Sequence, residues 1–418
     1  MRRGHHFALL AIAALAPAWL LVGAGPSSTP RIVATGVAVE VSDNGEYLIQ
    51  LAPGPAQRSV TVQRLDAEGI ELTRIAVNLP ISLATLTPEE AAAVANTPGV
   101  VAVSPNTEFQ ATSTQPAPPW GLDRSDQTDL PVDGSFTYSA TAGAGTTVYV
   151  IDSGINAAHV EFSERLLPGV DEIGDGQGTN DCYGHGTHVA GIAGGTTYGI
   201  AKLAALVPVR VLDCSGRGSA STVVHGIDWV ISDHTGGRAV ANMSFGSPGI
   251  NEVVDNAVAR LMADGVAVAV AAGNDRGQDA CHTSPARAPD VLTVGATTAL
   301  DARSFFSNIG PCLDLFAPGS NTLSAWKDSA SATLVLSGTS MASPHVAGAL
   351  AVLWTDNPGL TATQVQKMLV DQATPDRLTD IGVGSPNLLL HLSPSFRAVS
   401  GPAEEGRPAE RCAISPVC

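Results

Sequence analysis

The sequence predicts an α/β protein built on a central parallel sheet and preceded by a small α+β domain, and three features predict it. The run Thr146-Thr147-Val148-Tyr149-Val150-Ile151 is β-branched and apolar and ends in Asp152-Ser153-Gly154. That is the pattern of a buried parallel strand delivering an acid at its carboxyl end, where such folds place their sites. Similar runs alternate with helical stretches across residues 111–393. Finally, Gly338-Thr339-Ser340-Met341-Ala342-Ser343-Pro344-His345-Val346-Ala347-Gly348 reads as a tight turn opening into a helix. Ala342, Val346, Ala347, Ala349, Leu350 and Leu353 make that helix a buried one.

The chain begins with Met1-Arg2-Arg3 and an apolar run over residues 7–22, interrupted by Pro17 and followed by small Gly23-Ala24-Gly25. Residues 1–25 therefore read as a secretory signal peptide, too short and too broken for a membrane anchor. No later stretch reaches about 18 uninterrupted apolar residues, so no transmembrane helix is expected and the mature protein is expected outside the cell, free of the membrane. Acids exceed bases by 39 to 22 over 418 residues. That balance argues against a nucleic-acid partner and for a soluble monomer that repels its own kind.

Residues 26–30 form a Pro/Ser/Thr linker, and residues 31–110 read as the separate small domain. Glu46-Tyr47-Leu48-Ile49-Gln50-Leu51 is strand-like, and Ser59-Val60-Thr61-Val62-Gln63 alternates as a strand would. Thr87-Pro88-Glu89-Glu90 is a capping box with proline at the first helical position, opening a helix through Ala91-Ala92-Ala93-Val94 that stops at Thr97-Pro98-Gly99. Val100-Val101-Ala102-Val103 is a further strand.

Within residues 111–393, strands are expected over 147–151, 205–211, 239–243, 266–270 and 291–294. Helices are expected over 185–194, 221–233, 250–264, 340–354 and 361–372. Residues 394–418 are Pro-, Glu- and Gly-rich without periodicity and read as a tail. Six cysteines in an exported chain imply disulfides, and fifteen pairings are formally possible. Cys182 and Cys214 flank one segment and Cys281 and Cys312 another. Each pair would close a loop of about 30 residues, a constraint of roughly 3–4 kcal/mol. Cys412 and Cys418 lie close together in the tail.

The candidate chemistry centres on Ser340. At the start of a helix a serine can be an N-cap, or it can be a nucleophile beside N–H groups that would stabilise an oxyanion. A nucleophile needs a base and an orienting acid. Gly184-His185-Gly186-Thr187-His188-Val189-Ala190-Gly191 offers His185 at a glycine-flanked helix start, and the strand before it offers Asp152. His185 and His188 also stand three apart, as zinc ligands could. The glutamate of a His-Glu-x-x-His motif is missing, so His188 and His345 are expected to pack in their helices.

The three local sequences Val-Ile-Asp-Ser-Gly, His-Gly-Thr-His-Val-Ala-Gly and Gly-Thr-Ser-Met-Ala-Ser-Pro-His, in that order, resemble those of subtilisin-like serine peptidases. Trp-Gly-Leu-Asp-Arg, Arg-Val-Leu-Asp-Cys and Asp-Leu-Phe-Ala-Pro-Gly are similar to the proteinase K and aqualysin branch. The resemblance covers the whole of residues 111–393. It implies a subtilisin-like layered fold, a triad of Asp152, His185 and Ser340, and Asn274 as the side-chain donor of the oxyanion hole. It implies that protein and peptide substrates bind between Ser215-Gly216-Arg217-Gly218 and Ser244-Phe245-Gly246. Ala271, Ala272 and Gly273 would line a roomy pocket for an apolar or aromatic side chain. Disulfides 182–214 and 281–312 are implied too.

Two structural Ca²⁺ sites are implied, one from Asp314 with the carbonyls of Pro289 and Val291, the other from Asp123, Asp126, Gln127 and Asp133. Oxygen donors of this kind suit a hard cation. Arg377 stands about where a further family site would have an acid. Residues 31–110 are similar to the family's propeptide, which templates folding, inhibits the enzyme and is cut off autocatalytically, here near Gln110-Ala111. No catalytic metal is expected. Two competing readings are a catalytically silent binding scaffold, which would lack one of Asp152, His185, Ser340 or Asn274, and a processing enzyme of narrow specificity, which would show acidic pocket residues.

Overall fold

A computed structural model of the chain describes residues 31–34, 37–42, 44–107 and 111–393. The leader, the linker, Gln110, the tail and Cys412 and Cys418 lie outside the described residues. The chain divides into two units, with the boundary between Glu108 and Phe109.

The first unit pairs β1 (Arg31–Ala34) with β2 (Val37–Glu40). It continues through β3 (Glu46–Leu51), α1 (Pro55–Ala67), β4 (Thr73–Arg74), β5 (Ile81–Thr85), α2 (Pro88–Ala95) and β6 (Val100–Pro105). The last four strands form an antiparallel sheet in the order β4-β5-β3-β6. Tyr47, Ile49, Leu51, Leu65, Leu86 and Val94 are among its core residues. The capping box closes both ways: Glu90 N–H donates to Thr87 Oγ1 at 3.2 Å, and Thr87 N–H donates to Glu90 Oε2 at 2.8 Å.

One expectation fails here. Residues 59–63 are helical, within α1, not a strand. Val60 and Val62, which produce the alternation, are both exposed. The residues that pack are Thr61 and Leu65, four apart on one face of a helix begun by Pro55. The Thr61 hydroxyl also reaches the carbonyls of Gln57 and Pro98 at 3.0 and 3.2 Å.

The second unit opens with the hairpin β7 (Thr112–Pro116) and β8 (Ser135–Ser139), between which lies α3 (Trp120–Ser125). The sheet strands and their helices follow: β9 (Thr146–Asp152), β10 (Val170–Asp171), α4 (His185–Gly194), β11 (Ala205–Arg210), α5 (Ala220–Asp233), β12 (Arg238–Met243), α6 (Glu252–Ala263), β13 (Ala267–Ala271), β14 (Leu292–Thr297) and β15 (Leu315–Pro318). Then come the hairpin β16 (Thr322–Ala325) and β17 (Thr333–Leu336), α7 (Thr339–Asp356), α8 (Ala362–Gln372), β18 (Thr374–Pro375) and β19 (Leu388–Leu389).

The main sheet has nine strands in the order β10-β11-β9-β12-β13-β14-β15-β19-β18, parallel except for the β18–β19 pair. The succession reverses at β9, which has β11 on one side and β12 on the other. Its carboxyl end is thus at a topological switch point, where parallel sheets open a crevice. Side chains alternate between two cores. Val148 and Val150 pack with the residues of α4, α7 and α8, whereas Tyr149 and Ile151 pack with α5 and α6. The expected strands and helices of this unit are all present, with ends shifted by a few residues at most. This is the layered α/β fold that the sequence predicts.

Candidate active site

Asp152 ends β9 and is fully buried. Its Oδ1 accepts the Ser153 N–H at 2.8 Å, which fixes the carboxylate as the chain turns through Gly154. His185 is the first residue of α4, and its Nδ1 lies 2.8 Å from Asp152 Oδ1 and 3.0 Å from Oδ2. The glycines of the motif explain how the helix gets so close. A Cβ at Gly186 would lie 2.2 Å from the Gly154 carbonyl oxygen and 3.2 Å from Asp152 Cβ, and one at Gly184 would strike the Trp326 ring.

Behind this pair lies an acid the sequence did not mark. Asp181 is buried and its carboxylate accepts five hydrogen bonds. Oδ1 takes them from Ser153 Oγ (2.9 Å), Tyr183 N–H (3.0 Å) and Gly184 N–H (2.6 Å); Oδ2 takes them from Thr187 N–H (2.8 Å) and Thr187 Oγ1 (2.6 Å). Ser153 Oγ in turn accepts the Gly186 N–H at 2.9 Å. Asp181 thereby ties the turn after Asp152 to the first turn of α4. Burial pushes its pKa above the usual carboxylate range. Burial alone would lower the pKa of His185. The charge of Asp152, the hydrogen bond to it and the charge of Asp181 more than offset that, and the imidazole is raised above its ordinary value.

The other two histidines are packed, as expected. His188 Nε2 is 3.0 Å from the Leu334 carbonyl and His345 Nδ1 is 2.8 Å from the Met341 carbonyl. Burial lowers both to about 4, so they are neutral at pH 7.

Ser340 is the second residue of α7, whose N-cap is Gly338. Its hydroxyl donates to the Ser244 carbonyl at 2.8 Å rather than to His185. The Ser340 carbonyl would normally accept an N–H from four residues on, but that residue is Pro344. It accepts the Ser244 hydroxyl instead, at 2.9 Å. Asn242 extends this link: its Nδ2 donates to Ser244 Oγ at 2.9 Å and its Oδ1 accepts from Ser343 Oγ at 2.7 Å.

Asn274 follows β13. Its Oδ1 accepts Thr339 N–H at 2.9 Å and Thr339 Oγ1–H at 3.1 Å, while Thr339 Oγ1 accepts Gly273 N–H at 3.1 Å. The carbonyl end of the amide is thereby occupied, and its Nδ2 lies near Gly338. A Cβ placed on Gly338 would lie 3.6 Å from both Asn274 Nδ2 and Ser340 N. Gly338 has φ of 166°, an extended conformation open to any residue, so what glycine provides there is room. Two N–H donors face that room, and an oxyanion fits it.

Beside Asn274 is a cavity of about 710 Å³ lined by Gly246, Ser247, Pro248, Gly249, Gly273, Asn274, Asp275, Gln278, His282 and Thr283. Gly273 and Gly246, both expected to touch substrate, are among the residues that line it. Ala271, the last residue of β13, and Ala272 after it are buried. Gly218 sits against the Val211 carbonyl, and Asp213 Oδ1 holds the turn by accepting from Ser215 N–H (2.8 Å), Ser215 Oγ (2.6 Å) and Arg217 N–H (3.0 Å). Phe245 packs partly into the α5/α6 core. Cys182 is bonded to Cys214 and Cys281 to Cys312, with Cα–Cα distances of 4.9 and 5.3 Å.

The acids expected to hold cations stand as follows. Asp123 Oδ1 accepts from Gln127 Nε2 at 2.6 Å and from Gly134 N–H at 3.2 Å. Asp133 Oδ1 accepts from Ser135. Asp126 Oδ2 accepts Thr137 N–H at 2.6 Å, while its buried Oδ1 has no hydrogen-bond partner among the described residues. Burial, with the charges of Asp133 and Asp123 adding to it, pushes Asp126 up to about 7. A buried carboxylate oxygen without a partner, near further oxygen donors, fits a hard cation. These acids do not yet converge: among the described residues, the one set of three metal-capable side chains with ligand atoms within 4.8 Å of one another is Asp175 with the bonded Cys182 and Cys214. Asp314 Oδ2 accepts Thr293 N–H at 2.8 Å; Val291 is buried and Pro289 exposed. Arg377 pairs with Asp129 at 2.7 Å.

The family model described as "Subtilase family" matches residues 143–390. The chain is similar to an extracellular serine proteinase of Thermus sp. (strain Rt41A), with 47% identity over 346 residues, 82% of this chain and 83% of that one. It is similar to alkaline serine exoprotease A of Vibrio alginolyticus, with 49% identity over 272 residues, 65% of this chain and 50% of that one. Among solved structures, that of a cold-adapted subtilisin-like serine proteinase aligns with a TM-score of 0.63 and 46% identity, covering 68% of this chain and all of the other.

Proposed function

The chain belongs to the subtilase family of serine proteinases, hydrolases of the peptide bond, and from that premise we propose that it cleaves internal peptide bonds with Ser340 as nucleophile, His185 as base and Asp152 as orienting acid. Two observations support the reading: the His185 Nδ1–Asp152 contact at 2.8 Å, and the N–H groups of Asn274 and Ser340 about the space at Gly338.

The Ser340 hydroxyl turns from the Ser244 carbonyl to His185 Nε2 as substrate arrives. Its oxygen attacks the scissile carbonyl carbon and its proton passes to Nε2. Asp152 holds the proton on Nδ1 and stabilises the imidazolium, with Asp181 adding charge behind it. The carbonyl oxygen, now negative, accepts from Ser340 N–H and Asn274 Nδ2–H. His185 gives its proton to the leaving amine. Water then repeats the sequence on the acyl-enzyme and frees Ser340. The substrate lies as an added strand between the 215–218 and 244–246 segments, with its acyl-side residue in the cavity past Gly273, where a broad range of apolar or aromatic side chains has room.

Residues 31–110 act as a propeptide, an intramolecular chaperone and inhibitor that the enzyme removes near Gln110-Ala111, and the mature protein is secreted. Its relative from Thermus sp. is named as extracellular, and among the described residues no helix is long and apolar enough to cross a membrane. Asp123, Asp126, Gln127 and Asp133 would hold a structural Ca²⁺, whose charge would keep Asp126 ionised; Asp314 with the Pro289 and Val291 carbonyls would hold a second. A fluorophosphonate tests the nucleophile. The expected result is one label per mature molecule, on Ser340, and none on Ser340→Ala; labelling elsewhere, or none, contradicts the reading.

A further inference from the structure

Arg210, the last residue of β11, is fully buried, and its guanidinium is set between two acids and a disulfide. Nη1 donates to Asp171 Oδ1 at 2.9 Å and to Asp175 Oδ1 at 2.7 Å, and Nη2 donates to Asp175 Oδ2 at 2.7 Å. Nη2 also reaches sulfur: it is 3.4 Å from Cys182 Sγ and 3.8 Å from Cys214 Sγ. On the other side, Asp175 Oδ2 lies 3.8 Å from Cys214 Sγ. Arg210 holds the Asp175 carboxyl well below the usual carboxylate range, so it stays charged. The two sulfurs of the Cys182–Cys214 bridge therefore differ. Cys182 is half-buried and has the nearer cation, whereas Cys214 is exposed and has a carboxylate beside it. Neither cysteine of the second bridge, Cys281–Cys312, is exposed.

We infer that Cys214 is a site of reversible S-thiolation by small cationic thiols, and that the modification loosens one edge of the substrate cleft. The second half of the inference rests on the endopeptidase reading above. A thiolate attacks the disulfide sulfur it can reach, and the other sulfur leaves. Here the reachable sulfur is Cys214. The incoming thiolate forms a new S–S bond to Cys214 Sγ and the Cys182–Cys214 bond breaks. Its electron pair goes to Cys182 Sγ, where Arg210 stabilises the departing thiolate. The proton of the incoming thiol is given up to solvent. Attack on Cys182 is disfavoured twice, because Cys182 is partly covered and because a Cys214 thiolate would form beside Asp175. That same carboxylate repels an anionic thiol and attracts one that carries an ammonium group. The ends of the broken bridge are not held alike. Asp181 anchors the segment around Cys182 with its five hydrogen bonds. Cys214 instead lies in the exposed turn that leads into residues 215–218, one edge of the proposed substrate cleft. Thiolation should therefore weaken substrate binding and leave Asp152 and His185 in place.

The test treats folded wild type and Asp175→Asn with cysteamine or with mercaptoacetate. Free thiols are then blocked with iodoacetamide, and the cysteines are mapped by mass spectrometry without reduction. In wild type the expected result is cysteamine on Cys214, the alkyl group on Cys182 and an intact Cys281–Cys312 bridge. Mercaptoacetate should react about tenfold more slowly, once each thiol is scaled to its rate on a small free disulfide. Asp175→Asn should erase that difference. Label mainly on Cys182, earlier opening of the second bridge, no label at all, or a rate difference retained in Asp175→Asn overturns the site. Peptide hydrolysis is followed in parallel, without the blocking step. KM should rise several-fold in cysteamine with kcat little changed, and should return when the thiol is removed. An unchanged KM in fully labelled enzyme overturns the effect on the cleft. A wild type that hydrolyses no peptide before treatment overturns the endopeptidase reading and that effect with it, while the map of the cysteines still decides the site.

Discussion

Ser340 and Ser244 are joined by two reciprocal hydrogen bonds: the hydroxyl of each donates to the carbonyl of the other, at 2.8 and 2.9 Å. One of these would be disposable, because the Ser340 hydroxyl would have to leave it to act as the proposed nucleophile. The other is structural, because Pro344 leaves the Ser340 carbonyl without its helical donor. Ser244 therefore anchors the first turn of α7 to the end of β12. Ser244→Ala should destabilise the protein by about 1 kcal/mol and lower kcat more than it raises KM. Thermal melting and steady-state kinetics check this; unchanged values of both would remove Ser244 from the account.

The pH dependence has a definite sign. As the proposed base, His185 would act only when neutral, and its pKa is raised, so activity should rise with pH along a limb lying above the ordinary imidazole value. Asp181→Asn removes one of the charges responsible and should move that limb to lower pH. Asp152→Asn should cost about 10⁴-fold in kcat by favouring the wrong tautomer. A pH profile of kcat/KM that is the same in Asp181→Asn and wild type would contradict the role given to Asp181.

The oxyanion site makes a steric prediction. Gly338→Ala puts a methyl 3.6 Å from both donors, in the space the oxyanion needs, at a backbone angle alanine tolerates. Its kcat should fall by at least the 10²–10³-fold order expected for Asn274→Ala, with the melting temperature little changed. A Gly338→Ala enzyme of near-normal kcat would place the oxyanion elsewhere.

Calcium and protons should compete at Asp126. Its pKa of about 7 without metal means that binding Ca²⁺ must displace a proton below that pH. The raised pKa also means that, without metal, Asp126 adds stability as the pH falls from about 7 through the ordinary carboxylate value and loses that contribution as pH rises. The increase in melting temperature on adding Ca²⁺ should therefore be largest above pH 7, shrink below it, and be reduced in Asp126→Asn. An increase that is independent of pH and of Asp126 would rule the site out.

Much of this was legible in the sequence, for identifiable reasons. Asp152, His185, Ser340 and Asn274 each stand beside glycines that permit a close approach, so each leaves a local pattern. Asp181 and Thr339 act through hydrogen bonds to residues brought near by folding, and an aspartate or threonine in a turn has no local mark of that. The alternation at Val60 and Val62 misled because the packed pair, Thr61 and Leu65, is spaced for a helix. The two-residue strands β4, β10, β18 and β19 are too short to have a period at all.

The central claim, a Ser340-dependent peptidase that matures itself, is tested most directly by intact mass. Purified wild type and Ser340→Ala are weighed side by side, and both are assayed on a peptide substrate. The account predicts that wild type loses the residues up to about Gln110 and hydrolyses the peptide, while Ser340→Ala retains them and does not. A folded wild type that stays uncut and inactive, like its variant, would contradict it.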